Sequence, residues 1–379
     1  MPSVSSPRLR VLRLLPELNF GGVESCVAIQ ASMHSRDALD LRVCTFHKAG
    51  SAADKIRAAG VPVDTLDTSP SVRKPGASVA LARYLHRMRP DVLHASIGEA
   101  NFHALAVGKL ARVPVVIVEE TGMTARGLLG RLTFRVLYRS ASAVVGVTQA
   151  VCDHVRDVDY APKDRVQLVY NCASPDYFPI QRREPNPSVE PHLLAVGRLT
   201  PVKNHELLLR AFAQVVKVRP GARLSIVGDG PLAESTAALV AQLGLRDSVE
   251  LCGYRNDVRD LLAKSRAFVL PSTSEGCSVS LIEAMATGTP ALGSNVPGNL
   301  EVLGPELGAK WTAPADDVGA WTRLICDLLE LQPEAWRATA LAAQARAYEL
   351  FSPSAYIQRV EALYKELADQ HRARSFCAS

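Results

Sequence analysis

The chain has 379 residues, a length that fits two or three domains. Its composition, 47% hydrophobic and 21% charged, excludes a wholly disordered protein. A net charge of +5 does not indicate a nucleic-acid partner, although it would suit an anionic ligand or an anionic membrane surface. The eight cysteines form no Cys-x-x-Cys pair, which argues against a zinc site or a disulfide framework. The sequence shows neither a secretory signal nor an apolar run of about 18 residues, so we expect a cytoplasmic location.

Apolar runs typical of β-strands follow one another through the first half of the chain. Amphipathic stretches at 24–36, 76–88, 99–111 and 127–139 separate most of them and predict helices. This alternation indicates a parallel sheet with helices on both faces. The predicted strands are 11–15, 41–46, 61–66, 91–95, 113–119, 143–147 and 166–170.

The alternation breaks once and then resumes. Residues 179–191 contain four prolines and no periodicity, which predicts a linker. Residues 316–369 are rich in Ala, Leu and Arg and are helical in pattern. We therefore predict two doubly wound α/β domains, which would face a cleft at the carboxyl ends of both sheets. The strands predicted after the linker are 193–197, 223–227, 248–252, 267–270, 289–292 and 307–310.

A basic segment follows the first strand of the second half. Thr200 before Pro201 predicts a helix start, with Lys203 in the first helical turn. A cation in the first turn is unfavourable with respect to the helix dipole. An anion bound at this site, with Arg198 beside it, would explain why a lysine is found there. The alternative is a solvated lysine and a surface arginine.

The next turn, Gly228-Asp229-Gly230-Pro231-Leu232-Ala233, has the G-x-G-x-x-A form of a dinucleotide-binding loop. Asp229 would place negative charge against a pyrophosphate, and Pro231 lacks an amide donor. A tight strand-to-helix turn is the better interpretation. An NAD-type dehydrogenase is the weaker alternative.

Two acids stand out after strand 267–270. Glu275 precedes a glycine and a predicted helix start, where free amides near 276–279 form an anion site. Glu283 lies among apolar helical residues, where a carboxylate needs hydroxyl or amide partners. The alternatives are an exposed loop acid for Glu275 and a capping box of Ser280 with Glu283.

In this order, the segments resemble the retaining GT-B glycosyltransferases that use nucleotide sugars, the E-x7-E type known as glycosyltransferases group 1 or family four. The matching stretches are Val196-Gly-Arg198-Leu with Lys203-Asn204, Gly228 to Pro231, Gly253-Tyr-Arg-Asn-Asp257, Glu275 to Pro290, and Pro297-Gly-Asn-Leu-Glu301.

The first half resembles the family more loosely. Its matching stretches are Asn19-Phe-Gly-Gly22, Pro90-Asp-Val-Leu-His94 and Tyr170-Asn-Cys172. Many members have a histidine after the strand that ends near 118, whereas this chain has Glu119-Glu120-Thr121-Gly122.

The resemblance implies an α/β GT-B fold of two Rossmann-like domains, at 1–180 and 188–350. It also implies a C-terminal helix, at 351–379, that packs back toward the first domain. On the donor side, Arg198 and Lys203 would bind the diphosphate, and Glu275 would bond the sugar hydroxyls. The remaining donor contacts would be Gly276, Cys277 and Ser278 for the sugar, Glu283 for the ribose, Tyr254 and Arg255 for the base, and Gly21 and Gly22 for a phosphate or sugar. The acceptor side would include His94, Glu120, Thr121 and Arg126.

The implied reaction transfers a sugar from a UDP- or GDP-sugar to a lipid-linked or growing glycan. It retains the anomeric configuration and needs neither metal nor other cofactor, because the leaving phosphate takes the acceptor proton. Asp157-Val-Asp159 looks like the D-x-D metal motif of another glycosyltransferase fold, but a solvated acid pair is the better interpretation. A GT-B nucleotide-sugar 2-epimerase and a non-catalytic nucleotide-sugar-binding protein remain alternatives.

The last candidate is a basic helix. Arg131, Arg135 and Arg139 would share one helical face beside several leucines, and no acid occurs between Thr121 and Val151. One interpretation is a core helix with a solvated basic face. The other is a surface that meets anionic lipid at the inner face of the membrane without spanning it.

Overall fold

A computed structural model describes residues 8–19, 21–178 and 191–377. The chain divides into two compact units, Met1–Asn171 with Pro353–Ser379, and Cys172–Ser352. Each unit holds one parallel sheet with helices, which confirms the two predicted Rossmann-like folds. The predicted linker, apart from Pro191, lies outside the described residues.

The first unit is built on a seven-stranded parallel sheet. Its strands are β1 (Leu9–Leu15), β2 (Leu39–Thr45), β3 (Val63–Thr65), β4 (Val92–Ser96), β5 (Val115–Glu120), β6 (Ala143–Gly146) and β7 (Val166–Leu168). Its helices are α1 (Gly22–Met33), α2 (Ser51–Ala58), α3 (Gly76–Met88), α4 (Gly98–Val107), α5 (Leu128–Leu137), α6 (Gln149–Asp157) and the C-terminal α14 (Pro353–Cys377). The strand order is β3-β2-β1-β4-β5-β6-β7, so the direction of strand addition reverses between β1 and β4.

The central strands of this sheet are buried on both faces. Leu12 and Leu14 of β1 and Leu93 of β4 are almost wholly buried, because helices cover the sheet from either side. The C-terminal helix α14 contacts α1 and β5 and closes part of this cover. Arg13 is an exception in composition: it is a fully buried charge within the apolar strand β1.

The second unit holds a six-stranded parallel sheet. Its strands are β8 (His192–Val196), β9 (Arg223–Val227), β10 (Val249–Gly253), β11 (Ala267–Leu270), β12 (Ala291–Ser294) and β13 (Thr312–Ala313). Its helices are α7 (His205–Val218), α8 (Ala233–Gln242), α9 (Val258–Lys264), α10 (Val279–Ala286), α11 (Pro297–Lys310), α12 (Val318–Leu329) and α13 (Pro333–Leu350). The order β10-β9-β8-β11-β12-β13 places the reversal between β8 and β11.

One predicted strand is wrong. Residues 307–310 lie in α11, and the last strand is β13. Gly304 has a left-handed φ of 79°, and Pro305 then begins a further helical segment. Proline suits a first helical turn, and so short an apolar run does not distinguish strand from helix.

Candidate functional site

The site in the second unit begins where the sheet reverses its order. Strands β8 and β11 are neighbours, and their carboxyl ends lead into the two segments singled out in the sequence. Ligands bind open α/β sheets at this reversal, beyond the carboxyl ends of the strands. The two segments are joined directly, since the amide of Thr273 donates to the carbonyl of Val202 at 2.8 Å.

Lys203 and Glu275 form an ion pair across these segments. Lys203 Nζ lies 2.6 Å from Glu275 Oε1, and the two side chains are 19% and 12% exposed. A Cβ on Gly197 would lie 3.3 Å from Lys203 Cε, so this glycine gives the lysine chain room to lie over the backbone. Arg198, which directly follows Gly197, is exposed to solvent. The structure therefore brings Lys203 and Glu275 together, and Arg198 lies in the same segment as Lys203.

The helix predicted to start at Thr200 and Pro201 begins later. Pro201–Lys203 form a single 3-10 turn, Asn204 is left-handed with a φ of 53°, and α7 starts only at His205. Asn204 Nδ2 donates to the carbonyls of Pro271 and Ala315, at 3.2 and 2.8 Å, which holds this conformation. Lys203 is thus outside α7, and its carboxylate partner, rather than an anion alone, accounts for its position.

His205 is a buried residue that the sequence argument missed. Burial, and then the charge of Lys203, lower the pKa of His205 to about 4, so the ring is neutral at pH 7. Its Nδ1 has no hydrogen-bond partner among the described residues. Only its position directly after the Lys203-Asn204 motif could have drawn attention to it.

The amino terminus of α10 lies directly after Glu275. The Ser278 hydroxyl accepts from the amide of Leu281 at 3.4 Å and so caps this helix. The alternative capping box is wrong, because Ser280 lies inside α10 rather than at its start. Gly276, Cys277 and Ser278 are buried where the positive end of the helix dipole is directed.

Glu283 lies within α10 and is partly buried among apolar residues. Burial raises its pKa from 4.5 to about 8, so the carboxyl group is largely protonated at pH 7. Within the described part of the chain, this carboxyl group has no hydrogen-bond or ion-pair partner. The described residues therefore do not supply the hydrogen-bond partners that the sequence argument required for Glu283.

Gly298 holds the Glu275 loop in place from the other side. A Cβ on Gly298, near the start of α11, would lie 2.3 Å from the carbonyl oxygens of both Glu275 and Gly276. Only a residue without a side chain permits so close an approach. This gives a physical reason for glycine in the Pro297-Gly298 motif.

The turn after β9 is structural. A Cβ on Gly228 would lie 1.9 Å from the carbonyl oxygen of Gly197, and one on Gly230 would lie 2.5 Å from that of Leu199. The amide of Gly228 donates to the carbonyl of Gly253 at 2.8 Å, and the carbonyl of Asp229 accepts from the amide of Leu199 at 2.9 Å. These contacts confirm the tight turn and leave little room for a pyrophosphate.

Tyr254 and Arg255 follow β10, two strands from β8 at the same edge of the sheet. Tyr254 is 52% exposed. Arg255 forms a bidentate pair with Asp257, at 2.8 and 2.6 Å. Both side chains therefore lie at the carboxyl edge, with Arg255 already paired.

The carboxyl edge of the first unit carries a closed network around Arg13. Arg13 Nη2 donates to Ser96 Oγ at 2.9 Å and to Glu119 Oε2 at 3.0 Å. His94 Nδ1 faces Arg13 and the Tyr364 hydroxyl of α14, while its Nε2 lies 3.3 Å from Glu119 Oε2. Arg13 Nη1 lies closer to Nδ1, at 2.5 Å, than to Nε2, at 3.2 Å. Because arginine can only donate and the Glu119 carboxylate can only accept, we assign Nδ1 as the acceptor and place the proton on Nε2.

His94, which was predicted on the acceptor side, is a buried member of this network. It is 2% exposed, and burial together with the charge of Arg13 lowers its pKa to about 4. Burial alone would raise the pKa of Glu119, but the hydrogen bond from His94 and the charge of Arg13 hold it at about 2. The sequence argument missed this cluster because β1 is otherwise apolar. The charged residue Arg13 within that strand was the feature that could have indicated it.

Glu120 and Arg126 form a second closed group. Glu120 is 2% exposed and accepts from Arg126 at 2.9 Å, from Tyr138 at 2.9 Å and from Asn101 at 3.0 Å. Arg126 also donates to Asp159, which is fully buried. The interpretation of Asp159 as a solvated acid is thus wrong, because it neutralises Arg126. Glu120 and Arg126 are internal groups, whereas Thr121 after β5 is partly exposed.

The glycine loop before α1 is already close to an acid. Gly21 is extended and precedes α1, which starts at Gly22. A Cβ on Gly21 would lie 2.3 Å from Glu24 Oε2, so the Glu24 carboxylate covers this glycine. A carboxylate near a helix start occupies the place that a phosphate would take. The loop is therefore better suited to a hydroxyl group than to a phosphate.

Comparison with known proteins identifies the class. The family described as Glycosyl transferases group 1 matches residues 178–346, and the Glycosyl transferase 4-like domain matches residues 21–172. An uncharacterized glycosyltransferase of Methanocaldococcus jannaschii is 31% identical over 61% of this chain and 64% of its own length. The chain thus spans less than two thirds of that relative.

Two further proteins extend this comparison. The UDP-Gal:alpha-D-GlcNAc-diphosphoundecaprenol alpha-1,3-galactosyltransferase of Escherichia coli is 27% identical over 65% of this chain and 68% of its own length. The crystal structure of Anabaena HepE in complex with UDP and glucose has a TM-score of 0.79 at 19% identity, covering 94% of this chain and 100% of that chain. The chain belongs to the family-four, group 1 glycosyltransferases and has their GT-B fold.

Proposed function

We propose that this chain is a retaining glycosyltransferase that moves a sugar from a UDP- or GDP-sugar to a lipid-linked or growing glycan. The observation that carries the proposal is the Lys203–Glu275 pair at the carboxyl ends of β8 and β11, beside the start of α10. Cations, helix amides and carboxyl groups come together there, and a nucleotide sugar presents phosphates and hydroxyl groups that match them.

The leaving diphosphate is assigned to Lys203 and Arg198. The Lys203 ammonium has three protons, and one bond to Glu275 leaves others for phosphate oxygens. Exposed Arg198 adds a planar fork that suits a phosphate. The positive end of α10, at Gly276, Cys277 and Ser278, adds charge stabilisation that grows as the nucleotide departs.

The two acids have different partners in this proposal. Glu275 accepts bonds from donor-sugar hydroxyls while it fixes Lys203. Glu283, with its pKa raised to about 8, can donate as well as accept toward the ribose hydroxyls. Tyr254 offers an exposed ring for the base, with Arg255 beside it.

Retention and metal independence complete the proposal. The acceptor hydroxyl attacks the anomeric carbon from the face that the nucleotide leaves, and the leaving phosphate oxygen takes its proton. The new glycosidic bond forms as the sugar–phosphate bond breaks, so no protein nucleophile is needed. Lys203, Arg198 and the α10 dipole provide the positive charge that a metal ion supplies elsewhere.

We assign the acceptor to the first unit, near Gly21, Gly22 and Thr121. The buried groups His94, Glu120 and Arg126 take positioning roles there, holding the strand ends from beneath. The Escherichia coli relative, named for a diphosphoundecaprenol-linked acceptor, supports a lipid-linked substrate. A chain with these properties would act at the cytoplasmic face of the membrane.

The test is nucleotide release from a panel of UDP- and GDP-sugars, with and without a polyprenyl-diphosphate sugar, in the presence of EDTA. We expect release that depends on the acceptor, resists EDTA and yields a product with the anomeric configuration of the donor. Epimer formation from the donor alone would point to a 2-epimerase. Binding without release would point to a non-catalytic protein, and loss on chelation restored by Mg²⁺ would contradict metal independence.

A further inference from the structure

Helix α5 of the first unit exposes an unusual amount of apolar surface. Leu128, Leu129, Leu132 and Val136 are 76%, 79%, 50% and 63% exposed. No residue of this helix is buried, so the interpretation of α5 as a core helix is wrong. Leaving several large aliphatic side chains of one short helix in water is costly, and such a patch marks an interaction site.

The exposed residues form one face. At the helical period, positions 128, 129, 132 and 136 lie within about 100° of one another around the axis of α5. Phe134, on the opposite side, packs under the guanidinium of Arg126, whose Cζ lies 4.0 Å from the ring centroid. One face of α5 is thus anchored to the protein through Phe134, and the opposite, apolar face is exposed to solvent.

Arginines border this apolar face. Arg131 and Arg135 lie along one side of it, and Arg139 follows in the 3-10 turn Tyr138–Ser140. All three are exposed, and Arg135 stacks over the half-exposed ring of Tyr160 at 5.3 Å. Lys109 and Arg165 both donate to the carbonyl of Arg139, which concentrates positive charge at the end of α5.

Two acids that contact the segment before this helix, Glu120 and Asp159, do not offset the basic border. Glu120 and Asp159 are buried and bonded to Arg126, so they are turned away from the exposed face. A second copy of the chain, docked through the same face about a two-fold axis, would bring these arginines near their own counterparts. Like charges across an interface oppose such a contact.

We propose that this α5 face, Leu128, Leu129, Leu132 and Val136 with Arg131, Arg135 and Arg139, docks on an anionic lipid surface. The leucines and valine enter the interfacial region, and the arginines meet the anionic headgroups. Among the described residues, no helix has both the length and the apolarity to cross a bilayer, so this contact is peripheral. The biological use of the surface rests on the proposed function, because a lipid-linked acceptor is presented there.

The experiment is co-sedimentation with phosphatidylcholine vesicles that contain or lack phosphatidylglycerol, at low and high salt. Wild type should sediment with the anionic vesicles at low salt, and high salt should weaken this binding. Arg135→Gln with Arg139→Gln should lower the affinity roughly 30-fold, at about 1 kcal/mol for each arginine. Arg246→Gln with Arg323→Gln, two exposed arginines of the second unit, removes the same net charge and should leave binding nearly unchanged.

The apolar part is tested separately. Leu128→Gln with Leu129→Gln should lower the affinity for anionic vesicles by at least 10-fold, because about 1.5–3 kcal/mol accompanies full burial of each leucine. Val218→Gln with Leu341→Gln, on exposed positions of the second unit, is the matched control. Neither set should alter nucleotide-induced thermal stabilisation measured without vesicles, which separates failure of this proposal from failure of the donor-site proposal.

Three results would overturn the docking proposal. Wild type could remain in the supernatant with anionic vesicles at low salt. The α5 variants could bind as well as their controls. Sedimentation velocity could show a dimer that Leu129→Gln dissociates, which would assign the face to a second copy of the chain.

Discussion

The carboxyl edges of the two sheets use charge in opposite ways. In the second unit, Lys203 and Glu275 are partly exposed, and Glu283 has no hydrogen-bond or ion-pair partner within the described residues. In the first unit, Arg13 and Glu119 are buried and bonded, with Tyr364 of α14 over them. The second unit therefore has an open edge, where polar groups remain available to a ligand. The first unit has a closed edge, where most charged groups are bonded to one another within the fold.

The largest expected effect is at the closed edge. Arg13→Met should destabilise the protein by about 3–5 kcal/mol, because it leaves Glu119 buried without its cation. Urea unfolding followed by circular dichroism measures this loss. A loss below about 1 kcal/mol would mean that the network around Arg13 is not what holds this edge together.

At the open edge the effect should fall on activity. Lys203→Ala should lower turnover of a nucleotide sugar roughly 10²-fold, since it removes a cation from the departing diphosphate. Stability should change little, because the Lys203–Glu275 pair is partly solvated. Lys217→Ala, on exposed α7 surface, is the control. Full activity in a folded Lys203→Ala protein would remove Lys203 from the site.

Substitution of two glycines compares the packing of the Glu275 loop in the second unit with that of the loop after β5 in the first. Gly298→Ala should cost about 1–3 kcal/mol and weaken nucleotide binding, because its Cβ would meet the carbonyls of Glu275 and Gly276 at 2.3 Å. Gly122→Ala, in the loop after β5, meets nothing within 4 Å and should be nearly neutral. Equal effects at both positions, by thermal melting and nucleotide titration, would erase the contrast between the loops.

The last expected effect is a pH dependence of stability at Glu283. The folded chain holds the Glu283 proton up to a pKa of about 8, whereas the unfolded chain releases it near 4.5. Stability relative to Glu283→Gln should therefore fall as pH rises from 4.5 to 8 and level off above that. The gap in Tm between the two proteins should therefore widen over this pH range and stay constant above it. Glu234→Gln, exposed in α8, should show no such trend, and a pH-independent gap for Glu283→Gln would contradict the raised pKa.

The sequence was sufficient to predict the alternation of strands and helices, because buried parallel strands are near-continuous apolar runs. The prediction from sequence failed where a short local motif is overridden by contacts with distant residues. The dipeptide Thr200-Pro201 is a good helix start, yet the side chain of Asn204 stabilises a left-handed residue through carbonyls far along the chain. Contacts at such sequence separation are not encoded in local propensity.

The candidate site was predictable to the same extent. Lys203, Glu275 and Glu283 belong to ordered motifs, and the structure shows the first two in contact. The solvated interpretation of Asp159 was wrong, and the burial of His94 was not predicted, because a charged residue in the sequence does not show whether a distant strand or helix will neutralise it. Arg13 and Arg126, each remote in the chain, decide the state of those two residues.

Nucleotide binding by wild type and Lys203→Ala tests the central claim, that the open edge of the second unit is the donor site. A thermal-shift panel of UDP, GDP and their sugars should show one nucleotide that stabilises wild type by about 2.7 kcal/mol at one hundred times its Kd. The same nucleotide at the same concentration should stabilise Lys203→Ala far less, while Lys217→Ala responds like wild type. If none of these nucleotides stabilises wild type, or if Lys203→Ala responds as fully as wild type, the donor site does not lie at the ends of β8 and β11.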